Sequence, residues 1–145
     1  MTPRTWTDRQ CPVARTLDLV GDRWVLLIIR DAFDGLTRFS EFQRSLGIAK
    51  NILADRLRLL VENGILRRVD TGADSRAHYR LTPRGEDLFT VIVGLRQWGE
   101  RNAFEADEEH SVLILEQTGE PLPNIDPVRA DGGRIVARDT HVQKV

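Results

Sequence analysis

The 145-residue chain has a single cysteine, Cys11, which excludes an internal disulfide framework and a Cys-rich zinc site. Its three histidines, His78, His110 and His141, are scattered and offer no metal-ligand constellation. No apolar run approaches the roughly 18 to 20 residues of a membrane span, and the opening MTPRTWTDRQ lacks the apolar centre of a signal peptide. A cytoplasmic protein without a membrane partner is expected. Also missing are a Gly-rich phosphate loop, paired carboxylates in a supporting frame and a Ser/His/Asp arrangement. An enzyme is therefore not expected, and neither a cofactor nor a metal is called for. The lone thiol is either inert or reacts with something outside its own chain.

What is present begins with a core, since 41% hydrophobic residues suffice for one compact domain with a small appendage. The net charge of -1 hides a division. Residues 1–104 carry 17 basic and 13 acidic side chains, whereas 105–145 carry 4 and 9. A basic body with an acidic tail suits contact with a polyanion through the first part, although such a surplus is common in domains that bind nothing charged. We take 1–104 as the main domain and 105–145 as a C-terminal extension.

Periodicity supplies the elements. Pro12 at a first helical position, the apolar set Val13, Leu17 and Val20, and Gly21 predict a first helix. Asp22 caps a second, RWVLLIIRDAF, whose nearly unbroken apolar run implies burial on several faces before Asp34-Gly35. Ser40 and Gln43 have capping-box spacing for a short third helix in SEFQRSL, anchored by Phe39, Phe42 and Leu46. Residues 49–62 put Leu53, Leu57 and Leu60 on one face and Asn51, Asp55, Arg58 and Glu62 on the other, and Asn63-Gly64 ends the run.

From Ile65 the period changes to two. ILRRV and RAHYRL flank DTGADS, a loose hairpin tip, with Ala77, Tyr79 and Leu81 on a packing face and Arg76, His78 and Arg80 on a cationic one. Thr82 and Pro83 then open one long fifth helix to about residue 104, carrying Leu88, Phe89, Ile92, Leu95, Trp98 and Phe104. In the tail, SVLIL and RIVAR read as short strands around the Pro-rich TGEPLPNIDP, with Asp131-Gly132-Gly133 as a turn, which makes the extension a small β-hairpin element.

A short helix, a turn, an amphipathic helix and a two-stranded arm make a winged helix-turn-helix, an α+β fold that is mainly α with a small β-wing. Its second helix enters the major groove of double-stranded DNA. Lys50, Asn51, Asp55 and Arg58 would then meet base edges, while Arg76, Arg80 and Arg67 or Arg68, together with Arg38 and His78, would meet the phosphate ladder. Plainer readings stand beside these: a core helix with a solvated face, Asp55 as the i, i+3 partner of Arg58, Asn51 serving the helix start, Arg76 paired with Asp74. A winged-helix module that binds proteins instead of DNA predicts a recognition face poor in Lys, Arg and Asn and a wing without outward arginines. The sequence has the opposite. Trp24, Trp98, Phe33 and Phe89 suit core or dimer-interface packing better than a ligand cage.

The run CPVARTLDLVGDRWVLLIIRDAFDGLTRFSEFQRSLGIAKNILADRLRLLVENGILRR, followed by YRLTPRGEDL and LRQWGE, closely resembles the HxlR family of bacterial winged-helix transcription regulators, relatives of the MarR group. The likeness covers roughly residues 10 to 103 and rests on motifs in order: Cys11-Pro12, Leu19 to Trp24, Arg38-Phe39, IAKNIL and DRL, LTPRG, and Trp98-Gly99. It implies a homodimer whose first and fifth helices pack across a two-fold axis, so that two recognition helices meet successive major grooves of a pseudo-palindromic operator. Repression by obstructing polymerase is the simplest mode. DSRAHYRLT also resembles the Asp-x-Arg wing of the MarR relatives, which implies that Arg76 faces DNA.

Some members of the family sense oxidants or electrophiles with a cysteine at the place of Cys11, where a helix start suits an anionic sulfur. The plainer reading is a small buried residue. As the only thiol, Cys11 could act only through an intersubunit disulfide, a small-thiol adduct or direct alkylation. Some long members of the family carry a CGEP-like turn in a cysteine-bearing extension, but here TGEP at Thr118 to Pro121 has no cysteine. The extension is open to three readings: a metal-binding element that has lost its ligands, a hairpin closing a small-molecule effector pocket, or an arm on the partner subunit.

Overall fold

A computed structural model describes residues 4–70 and 76–144. Residues 71–75 of the predicted hairpin tip, Asp74 among them, lie outside the described residues. Two compact units divide the chain between Ile92 and Val93. The first begins with α1 (Pro12–Val20), in which Pro12 takes the first helical position and the Cys11 sulfur accepts from the Ala14 amide at 3.4 Å. At Gly21 the chain passes so close to the Leu17 carbonyl that a Cβ would stand 2.5 Å from its oxygen. That approach brings Asp22 directly to the start of α2 (Arg23–Phe33). There its carboxylate accepts from the amides of Trp24 at 2.9 Å and Val25 at 3.1 Å, as its capping position predicts.

Val25, Ile28 and Ile29 of α2 are fully buried, and Gly35 reverses the chain at a φ of 95°. α3 (Phe39–Leu46) starts one residue before the expected cap. Its N-cap is Arg38, whose amide donates to the Glu41 carboxylate at 3.1 Å, so Ser40 and Gln43 do not form the capping box. The cause lies outside the helix: Arg38 is held extended by a β-bridge to His78, which sets where the helical turn can begin. After a left-handed turn at Gly47 comes α4 (Lys50–Glu62). Leu53, Leu57 and Leu60 close over Phe42 and the α2 residues as the core, each such side chain contributing about 1.5–3 kcal/mol relative to exposure.

Gly64 turns the chain into β1 (Leu66–Asp70), which pairs antiparallel with β2 (Ala77–Leu81) in a register running from Leu66 opposite Leu81 to Asp70 opposite Ala77. Directly opposed residues share a face. Leu66, Leu81, Arg68 and Tyr79 therefore stand on one face, and Arg67, Arg80, Val69 and His78 on the other. The register keeps the expected alternation of β2, with Tyr79 and Leu81 on one face and His78 and Arg80 on the other, and it adds Arg68 to the Tyr79 face.

The expected single fifth helix is broken into α5 (Pro83–Glu86) and α6 (Phe89–Asn102). Thr82 caps α5 by accepting from the Gly85 amide at 3.1 Å while its hydroxyl donates to the Gly64 carbonyl. Gly85 is pressed against the base of the wing, where a Cβ would lie 2.2 Å from the Ile65 carbonyl oxygen. With its first turn pinned there, the chain tightens through a Leu88 to Gly85 bond of i, i+3 type before regular winding resumes. Phe89 then packs on Phe33 with the rings tilted and their centroids 5.4 Å apart.

In the second unit, SVLIL and RIVAR do not pair as strands across the Pro-rich loop. Each forms only a one-pair bridge, Ile114 with Pro121 inside that loop and Arg134 with Val128 just after it. Pro121 occupies a position flanked by the Leu122 to Leu113 and Leu115 to Glu120 bonds, where no amide proton is needed; Pro123 and Pro127, which lack that proton, keep longer ladders from forming. A 3-10 turn follows at Ala137–Asp139. Gln97, 5% exposed, holds the loop by donating to the Pro123 carbonyl at 3.1 Å and accepting from the Ile125 amide at 2.9 Å. The adjoining cavity, lined by Val93, Arg96, Leu113 and Leu122 among others, measures about 30 Å³, room for a water molecule but not for an organic effector. Among the described residues, no helix is long and apolar enough to cross a membrane.

Candidate nucleic-acid interface

The outer face of α4 and the Arg68 and Tyr79 face of the wing look onto one groove. Its α4 side is lined by Asn51, Ala54, Asp55, Arg58 and Glu62. Toward the N-termini of α3 and α4 it continues past Arg38, Ser40, Gln43 and Lys50 to Arg76, with Phe39, Arg68 and Tyr79 common to both stretches. Four cations, Arg38, Lys50, Arg68 and Arg76, line the second stretch, and the other described residues that line it are uncharged. An anionic ligand of repeating charge fits such a wall, and the polar α4 face fits edges that carry donors and acceptors.

The predicted contact residues divide into three groups. Lys50 and Asn51 are exposed at the start of α4, and Arg76 is exposed with no ion-pair partner among the described residues. Arg38, Arg68 and Arg76 are brought together with them, Arg68 also lying 3.8 Å from Asp70. Asp55 and Arg58 are joined to each other at i, i+3 on the helix surface. Asp55 also accepts from Arg56 at 2.8 Å, and Arg58 lies 3.9 Å from Glu62. Arg67 and Arg80 stand opposite each other on the far side of the wing, in a recess shared with Thr37 and Glu86. His78 is half-buried, its Nδ1 2.9 Å from the Thr37 hydroxyl, and serves the sheet instead of the expected backbone set.

Arg56, to which sequence reasoning gave no role, ties α4 to α2. Its Nε and Nη2 each lie 3.2 Å from an oxygen of Asp22. Burial pushes the Asp22 carboxyl up, but Arg56 and the Val25 and Trp24 amides together outweigh it and hold the group below the ordinary carboxylate range. Arg56 is raised in return, first by its hydrogen bonds to Asp22. Ser40, Gln43 and Tyr79 were also missed as groove residues. Ser40 and Gln43 share one side of α3 at helical spacing, a signal masked by reading the same spacing as a cap.

On α1, Val13 and Leu17 are 67% and 58% exposed, and on α6 Leu95 and Trp98 are 53% and 61% exposed. Trp24 and Phe33 pack against the core, as expected of them. Cys11 is half-buried at the start of α1. No group of three or more His, Cys, Asp or Glu side chains able to hold a metal ion occurs among the described residues.

Residues 19–107 match the profile of the HxlR-like helix-turn-helix family. The HTH-type transcriptional regulator Rv3095 of Mycobacterium tuberculosis is 53% identical over 89 residues, 61% of this chain and 56% of that protein, so the match spans little more than half the length of this relative. The crystal structure of PA1607, a candidate transcription factor, superposes with a TM-score of 0.91 at 50% identity, covering 95% of this chain and 97% of that one. The redox regulator HypR in its reduced form gives 0.61 at 33% identity, covering 64% and 94%. With its helix-turn-helix, its two-stranded wing and a family match over most of its length, the chain belongs to the HxlR-like helix-turn-helix family of transcriptional regulators.

Proposed function

We propose that the protein is a sequence-specific repressor that binds a pseudo-palindromic operator as a homodimer in the cytoplasm. The observation that carries this reading is the single groove in which the exposed face of α4 meets Arg38, Lys50, Arg68 and Arg76. Lys50 and Asn51 reach base edges, the wing arginines take phosphates, and Arg67 and Arg80 add charge from the far side of the wing. Residues 1–104 bind DNA and dimerise, and 105–145 form an extension anchored on Gln97 of α6. Support for the dimer comes from Val13 and Leu17 on α1 and Leu95 and Trp98 on α6, apolar side chains more than half exposed, which a two-fold partner would cover.

Cys11 governs release. Its sulfur sits at a helix N-terminus and accepts a backbone N–H, and the relative HypR is a redox regulator. Two Cys11 thiols, one from each subunit, give two electrons and two protons to a peroxide and form an intersubunit disulfide that shifts the recognition helices. The test is binding of the purified chain to the DNA upstream of its own gene against random DNA of equal length, across a salt series, with and without oxidant. Specific binding abolished by oxidation supports the whole reading. Specific binding indifferent to oxidant removes Cys11 from it, and equal binding to both DNAs removes the operator.

A further inference from the structure

We propose that Arg58 reads a guanine and that Asp55 is its positioning residue, anchored through Arg56 to the α2 cap at Asp22. This rests on the reading of α4 as the recognition helix. Both carboxylate oxygens of Asp55 are taken, Oδ1 by Nη2 of Arg58 and Oδ2 by Nη1 of Arg56 at 2.8 Å. With an arginine on each oxygen, Asp55 is assigned the holding of Arg58 and no base of its own. Arg56 spends its other edge on Asp22, which is itself fixed by the amides at the start of α2. The string Asp22, Arg56, Asp55, Arg58 thus runs from the capped start of α2 to an exposed guanidinium, 69% accessible on the groove side of α4.

A free arginine samples many rotamers and meets phosphates and bases alike. Arg58 has one Nη2 proton held by Asp55 and its Nε near Glu62. The Nη1 protons and the second Nη2 proton remain as an end-on fork, the donor pair that O6 and N7 of guanine accept. The neighbouring carboxylates also repel phosphate oxygens, so the string trades general affinity for choice of base.

The experiment is selection from a random duplex pool by the full-length chain, followed by sequencing, for wild type, Arg58→Ala, Arg58→Lys, Asp55→Asn and Asp22→Asn. The wild type should enrich a motif with at least one G·C position preferred about tenfold or more. Arg58→Ala and Arg58→Lys should lose that position alone. Asp55→Asn should reduce its preference to about threefold or less while binding random DNA more tightly, which a merely structural role would not produce. Asp22→Asn should give a smaller loss at the same position. Circular dichroism identifies any variant that fails to fold, and Arg58→Lys, at a fully surface position, keeps the test decisive. An unchanged motif in the Arg58 variants, or a position lost with Arg58→Ala but kept in Asp55→Asn, overturns the inference and leaves the regulator intact. No enriched motif for the wild type overturns the DNA-reading function itself.

Discussion

Arg56 and Asp22, 34 residues apart, meet edge to edge, with two guanidinium nitrogens each 3.2 Å from a different carboxylate oxygen. Asp22 thereby performs two tasks with one group: it caps α2 and fastens α4. Replacing it by alanine should cost about 1–2 kcal/mol from the cap alone, and asparagine, which can still cap, should cost less. Denaturant midpoints of the two variants measure the difference, and equal losses would mean that the charge on Asp22 matters more than its capping oxygen.

Acid should release the same link. Asp22 is held below its ordinary value of 3.8 in the folded chain. Its contribution is therefore complete above that value and disappears as pH falls through the lower, folded one. Asp18 behaves alike, lowered first by the Thr7 amide and then by the Thr7 hydroxyl. Melting temperatures recorded from pH 7 down to 3 should stay level for these groups until about pH 4 and then decline. The decline should be shallower in Asp22→Asn.

The wing arginines predict a salt effect. Removing Arg68 or Arg76 should weaken binding to every sequence and lower the slope of log affinity against log salt by about one for each. Lys50→Ala and Asn51→Ala should in addition change which sequence is preferred. Anisotropy titrations at several salt concentrations separate the two effects.

Gly85 is a packing constraint. An added methyl group would stand 2.2 Å from the Ile65 carbonyl oxygen and 3.0 Å from Leu81 Cδ2, and one of those neighbours is backbone. Gly85→Ala should destabilise the chain by about 1–3 kcal/mol and loosen the base of the wing, seen as faster amide exchange at Ile65 and Thr82. Gly99→Ala, with no atom within 4 Å of the added group, is the control.

Local chemistry explains why some of this was legible in the sequence. Pro12, Asp22 and the Leu53, Leu57, Leu60 period act within one turn or one face of a helix, and each stands where its spacing predicts. The helix-turn-helix and wing followed from such signals. What escaped prediction depends on distant partners. Glu41 caps α3 because Arg38 is bridged to His78, 40 residues on; α5 ends early because Gly85 rests on Ile65; Arg56 matters because α2 begins beside it. The wing arginines were visible as charges, but their division between two faces required the strand register, which places Arg68 with Tyr79 and Arg67 with Arg80.

The buried amide of Gln97 offers the passing chain one donor and one acceptor, the same pair that a peptide unit of a neighbouring strand would present. A pin of this kind differs from a seam. A β-ladder constrains every residue along its length, so an insertion anywhere shifts the pairing beyond it, whereas Gln97 constrains only the stretch from Pro123 to Ile125. The two hairpins on either side can therefore gain or lose residues without disturbing the anchorage. Evolution has room to lengthen, shorten or redecorate the extension while point contacts from α6, Gln97 to the loop and Arg96 to Ser111, keep it moored.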